Sequence, residues 1–267
     1  MTDSEIIRDD EVFLRMNLAE RLQHILLILS MGTLMLTGMP LIFSEFKIFK
    51  SIFAFGSAFY VRGILHRIAA VVLIVNIVFH IFYTIFTKRG RANFKEMAPK
   101  FKDFKDAWSL FCHNVGITRF LHDRGVGKAF FAKHPALLFE KEPEFGRYNF
   151  IEKFEYWAVA WGSFVMILSG FFMWRVELSL KLFPLWVHDI FVIVHGYEAM
   201  LAFLAVIIWH MYNVHLNPEV FPMSKIWLNG KITGHELRTL HPLEYRKILE
   251  GRKAALQSSG NADAPAK

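Results

Sequence analysis

Residues 186–212 read WVHDIFVIVHGYEAMLAFLAVIIWHMY. Asp189 and Glu198 are the only carboxylates in this run, and it contains no lysine or arginine. It exceeds the roughly 20 helical residues needed to cross a hydrocarbon core. Its apolar residues are continuous rather than alternating, which favours a helix over the strand of a membrane barrel. A helix also pairs all its own backbone groups where lipid offers no partner. Three more blocks of this kind precede it, at about 21–43, 63–86 and 151–175, and the fourth extends over about 186–213. The expectation is an all-α membrane protein, a bundle of four transmembrane helices. Tyr60, Tyr83, Trp157, Trp161, Trp174, Trp186, Trp209 and Tyr212 fall near block ends, where amphipathic rings suit the lipid–water boundary.

A 54% hydrophobic chain of 267 residues does not read as an ordinary soluble domain. The net charge of +7 would suit either nucleic acid or a membrane surface. Its placement favours the membrane, and no nucleic-acid partner is expected. Lys88, Arg89, Arg91, Lys95, Lys100, Lys102 and Lys105 lie in the connection 87–150, and Lys225, Lys231, Arg238, Arg246 and Lys247 follow the last block. The two short connections carry only Lys47, Lys50 and Arg62, and Lys181. Basic residues stay cytoplasmic. That rule places the N-terminal segment 1–20, the connection 87–150 and the tail 236–267 in the cytoplasm, with 21–235 as the membrane domain of a bacterial inner-membrane protein. Phe46, Phe49 and Phe53 opposite Lys47 and Lys50 predict an interfacial amphipathic stretch. The Ser, Gly, Ala and Pro content from Gln257 onward predicts disorder. One cysteine, Cys112, builds no disulfide and no Cys-ligated zinc or iron–sulfur cluster within the chain, and no CxxCH attaches a haem covalently. The charged N-terminus has no signal-peptide pattern.

Ionisable side chains at membrane depth are costly and usually mark function. His24, His66, His80, His195 and His210 fall inside the blocks; His188 and His215 sit at block ends. His66 and His80, 14 residues apart, lie on one helix face to within about 40° and about 21 Å apart along the axis. His195 and His210, 15 apart, are about 60° out of alignment and about 22 Å apart. Two helices running in the same direction thus each offer a histidine at two depths. Paired imidazoles from facing helices, in an apolar slot, suit two b haems stacked across the bilayer. Single packing histidines are the plainer reading of each residue alone. A bare metal site would need ligands at one level, where Glu198 is the only acidic residue well inside a block. A haem-free transporter relaying protons through the histidines is the alternative function, and a purely structural anchor a further one. The remaining histidines, His113, His122, His134, His235 and His241, lie in polar segments and are assigned no chemistry.

Several motifs carry a family resemblance over about residues 15–235: Arg21-Leu-Gln-His24 closing on Thr37-Gly38, then Leu65-His66-Arg67, then Arg147-Tyr148-Asn149 followed by Glu152-Lys153 and Tyr156-Trp157, and finally His195 with His210-Met-Tyr212. In these the chain resembles the cytochrome b subunits of membrane-bound formate dehydrogenases, nickel–iron hydrogenases and thiosulfate reductases. The resemblance implies two b haems, His66 and His195 holding the outer one and His24 and His210 the inner one. His80, at the inner level, is an alternative inner ligand. It implies a menaquinone or ubiquinone pocket beside the inner haem with Asn149 as a contact, although Asn149 could equally cap the third helix. Arg62, Arg67 and Arg175 are expected near haem propionates, or else snorkel. The implied role is a membrane anchor passing electrons between quinone and a partner, a periplasmic iron–sulfur subunit or a multihaem cytochrome c, in a hetero-oligomeric complex.

Overall fold

The computed structural model describes residues 3–53 and 57–262. Among the described residues, four helices are long and apolar enough to cross a membrane: Leu18–Ile42, Ala58–Phe86, Phe150–Trp174 and Leu185–Leu216. The shortest, of 25 residues, is about 37 Å long at 1.5 Å per residue. Among the described residues the chain is a mostly helical membrane protein with four spanning helices, its only strands being the three-residue Val12–Leu14 and Lys231–Thr233.

The chain divides into two compact units. One, residues 14–93 and 155–231, holds the body of the four spans. The first span opens on a capping box, Asn17 N–H donating to Glu20 Oε2 at 2.8 Å and Glu20 N–H to Asn17 Oδ1 at 2.9 Å. The second begins at Ala58, before the Gly63 expected from its sequence. Arg62 is accommodated there because its guanidinium donates to Thr37 O at 3.0 Å and lies 5.0 Å from the Phe59 ring centroid. Hydroxyls along the spans bond back to their own helix: Ser30 to Leu26 O at 2.7 Å, Thr33 to Leu29 O at 2.8 Å, Ser169 to Val165 O at 2.7 Å. Lipid offers such donors no partner, so the helix supplies one. Leu36 is 79% exposed and Tyr197 76%, as lipid contact requires of an isolated chain. The expected amphipathic stretch forms a short helix, Lys47–Phe53; the Phe53 side chain lies outside the described residues.

The fourth span changes its winding. Leu185–Leu204 is α-helical, whereas Ala205–His210 and Tyr212–Leu216 are π-helical. A π turn closes i to i+5 rather than i to i+4, so each residue there turns through less than the usual angle. That lost rotation offsets the ~60° surplus of a 15-residue spacing between His195 and His210.

The other unit draws on residues 1–13, 94–154 and 232–267. Its core contains Ile7, Ile232, Leu237, Tyr245 and Leu249, all buried. Arg252 donates to Glu11 Oε2 at 2.8 Å, Arg147 to Glu244 at 2.9 Å, and Leu243 N–H to Phe145 O at 3.0 Å. Segments read from sequence as separate polar stretches therefore fold together. The closing helix, Pro242–Ala262, continues through the Gln257–Ala262 stretch expected to be disordered. Strong helix formers Ala254, Ala255, Leu256 and Gln257 carry it forward. Residues 263–267 lie outside the described ones.

Candidate functional site

Four of the five intramembrane histidines meet in two pairs. His66 of the second span faces His195 of the fourth, ring centroids 6.4 Å apart and planes at 62°. His24 of the first span faces His210 of the fourth, again at 6.4 Å, with planes at 48°. Metal–imidazole bonds are about 2 Å long, and an imidazole centroid sits about 1.1 Å behind its nitrogen given ordinary ring bond lengths. A metal ion ligated by both rings would hold the centroids roughly 6.3 Å apart. Both gaps fit one metal between two imidazoles.

The second nitrogen of each ring has its own environment. His66 Nδ1 lies 2.8 Å from Thr37 Oγ1, and that hydroxyl bonds Thr33 O at 2.6 Å. His195 Nδ1 lies 2.9 Å from Ser169 Oγ, whose own hydrogen goes to Val165 O. With each hydroxyl hydrogen committed to its helix, the oxygen accepts from Nδ1–H. The ring is then the neutral tautomer with its lone pair on Nε2, the form that binds iron. His210 Nδ1 lies 2.9 Å from Glu155 Oε2, a carboxylate partner that strengthens a ligating imidazole. His24 is the exception: its Nδ1 is buried without a hydrogen-bond partner.

Two glycines make room for the rings. A Cβ on Gly38 would lie 3.4 Å from His66 Cε1, and one on Gly170 only 3.0 Å from His195 Cε1. Thr37-Gly38 on the first span and Ser169-Gly170 on the third are thus the same device, a hydroxyl that orients the ring beside a residue without a side chain.

His80 joins neither pair. Its Nδ1 lies 2.7 Å from Gln23 Oε1 and its Nε2 3.0 Å from the Tyr156 hydroxyl. Asn149 caps the third span, its Oδ1 accepting from Glu152 N–H at 2.7 Å while its own N–H donates to Glu152 Oε2. It belongs to the other compact unit from His210. Arg62 sits against Thr37 and Phe59, Arg67 lies 5.7 Å from the Trp174 ring centroid, and Arg175 is exposed ahead of the short helix Val176–Leu182. Among the described residues no three His, Cys, Asp or Glu side chains converge to hold a metal ion. Ser169, Gly170, Glu155 and Tyr156 were not singled out from sequence as parts of the site. Ser169-Gly170 echoes Thr37-Gly38, and Glu155 is a carboxylate within a spanning block; those signals could have found them.

A family model described as prokaryotic cytochrome b561 matches residues 15–222. The chain belongs to the prokaryotic cytochrome b561 family. The comparison with curated proteins finds no match. As a cytochrome b561, the chain is an integral membrane electron-transfer protein that binds b-type haem. The matched residues take in all four spans and both histidine pairs. The paired rings, with Nδ1 engaged in three of four cases, suit bis-imidazole ligation of a planar iron porphyrin.

Proposed function

We propose that this cytochrome b561 binds two b haems and carries electrons between a membrane quinone, menaquinone or ubiquinone, and a partner redox subunit. The observation that carries the reading is the equal 6.4 Å spacing of two separate imidazole pairs. His66 and His195 would hold one haem and His24 and His210 the other. Each haem, when bound, supplies a reversible one-electron couple.

The chain's own residues set the conditions. Thr37 and Ser169 keep the imidazoles of one pair in the ligating tautomer, and Glu155 raises the electron donation of His210. Arg62, whose Nε is buried without a hydrogen-bond partner, and Arg67 supply positive charge beside His66 for propionates, with Arg175 a third cation. The basic connection and tail support a topology with both termini and the connection cytoplasmic in the bacterial inner membrane. In that orientation the His66/His195 pair faces the periplasmic side. There an iron–sulfur subunit or a multihaem cytochrome c of a hetero-oligomeric complex would exchange electrons.

The test is anaerobic addition of menaquinol or ubiquinol to the oxidised purified protein. Reduction of the b-type α band by either quinol is expected. A protein that dithionite reduces but neither quinol reduces would overturn the quinone reading.

A further inference from the structure

One intramembrane histidine takes part in neither pair, and its surroundings are built. His80 is held from three directions: Gln23 of the first span at 2.7 Å, Tyr156 of the third at 3.0 Å, and Thr84 one turn along its own helix at 3.5 Å. Gln23 is 7% exposed, and its Nε2 is buried with no hydrogen-bond partner. Because Gln23 presents its carbonyl oxygen to His80, Nδ1 carries a hydrogen and donates. The basic nitrogen of neutral His80 is then Nε2, where the Tyr156 hydroxyl donates. An unused amide donor and a tyrosine backed by a basic imidazole form a combination that binds a quinone oxygen and moves its proton.

We propose that His80 is the proton acceptor for quinol oxidation, with Tyr156 as the relaying hydroxyl and the Gln23 amide as a donor to the quinone headgroup. The proposal rests on the quinone reading above and adds to it the group that moves the proton. Each of the two electrons of a quinol would be taken by ferric haem, when bound, as one quinol O–H bond breaks and its proton passes to the Tyr156 oxygen. The tyrosine's own proton moves to His80 Nε2, forming an imidazolium. His80 must release the first proton to the aqueous side before it takes the second. In quinone reduction the same transfers run backwards.

A polar route to the aqueous side begins one turn from Gln23. Glu20 accepts from Tyr83 OH at 3.0 Å, from Arg89 at 3.0 Å and from Asn93 at 2.7 Å. The titratable and charged groups acting on His80 are Tyr156 from the third span and Glu20 from the first, with Tyr83 of its own helix bonded to Glu20. The fourth span contributes no hydrogen bond to His80 among the described residues.

His80→Gln and Tyr156→Phe, in the purified full chain, test the assignment through rate, pH profile, haem content and labelling by a photoreactive azidoquinone. Both variants should keep the wild-type haem content and full reduction by dithionite. Quinol-driven reduction should fall at least tenfold, and the inflection that His80 gives the wild-type pH profile should vanish in His80→Gln. The photolabel on wild-type protein should map to peptides carrying Gln23, His80 or Tyr156. An unchanged rate and pH profile in both variants would overturn the inference, as would labelling confined elsewhere. Loss of a haem in His80→Gln would also overturn it, by making His80 a ligand. If no quinol reduces the wild type, the quinone reading itself has failed; if the wild type reacts and the variants match it, this inference alone has failed.

Discussion

At the scale of single residues, the histidine pairs depend on neighbours that do not touch iron. Removing the oxygen that fixes Nδ1 leaves a buried N–H without a partner and frees the ring to rotate. Thr37→Val and Ser169→Ala should each weaken retention of the haem at the His66/His195 pair by about 10- to 100-fold while leaving the other haem in place. Haem loss to apomyoglobin measures this; unchanged loss rates would mean the hydroxyls serve only their own helices. Gly170→Ala should be worse tolerated than Gly38→Ala, because its new Cβ would come within 3.0 Å of His195 rather than 3.4 Å of His66. Haem content after purification reads the difference. The histidines were legible in the sequence because an imidazole among leucines and valines stands out. The hydroxyls were not, since serine and threonine in a spanning helix commonly bond their own backbone. Here Thr37 and Ser169 do both.

At the scale of elements, the fourth span shows how winding repairs spacing. A regular helix would leave His195 and His210 about 60° apart around the axis, yet both meet their partners at the same distance. The π-helical Ala205–His210 segment lies between them. Deleting Ile207 removes the extra residue and restores a 14-residue spacing on a plain α-helix, within about 40° of alignment. That deletion should keep both haems. Inserting an alanine after Leu204 should lose the haem at His24/His210 and spare the other. A deletion variant lacking one haem would show that the π segment does more than set register. Four spans and their approximate ends could be read from continuous hydropathy, because lipid demands it. A π turn could not, since no residue type signals it and only the demand for facing histidines does. The start of the second span, at Ala58 rather than Gly63, was missed because an arginine near a helix end reads as a stop until its backbone and ring partners are known.

At the scale of the whole molecule, the N-terminal segment, the connection and the tail form a folded unit whose ties join residues far apart in the chain. Glu11 and Arg252 are one such tie, and distances of that order in sequence leave no local pattern to read. The Arg252 guanidinium holds the Glu11 carboxyl below its usual range, and Arg246 does the same for Glu144. A carboxylate with a depressed folded pKa stabilises the fold above its ordinary value of about 4.3. That contribution is lost as the pH falls through the depressed value. The Glu144–Arg246 pair is exposed and the Glu11–Arg252 pair half-buried, so the effect is modest and weakened by salt. Amide exchange in 3–13 and 242–262, corrected for its intrinsic rate, should therefore rise as pH drops below 4, and Glu11→Gln should remove part of that rise. Exchange that stays flat across this range would place the stability of the unit in its apolar core alone.

Two imidazole pairs, each proposed to grip one haem, are the core of the proposed function. Its most direct test is a pyridine haemochrome count on the wild type and on His24→Ala, His66→Ala, His195→Ala and His210→Ala, with His80→Gln beside them. Two haems per wild-type chain, one in each of the four pair variants and two in His80→Gln are expected. One haem in the wild type, or a full complement after loss of any pair member, would contradict it.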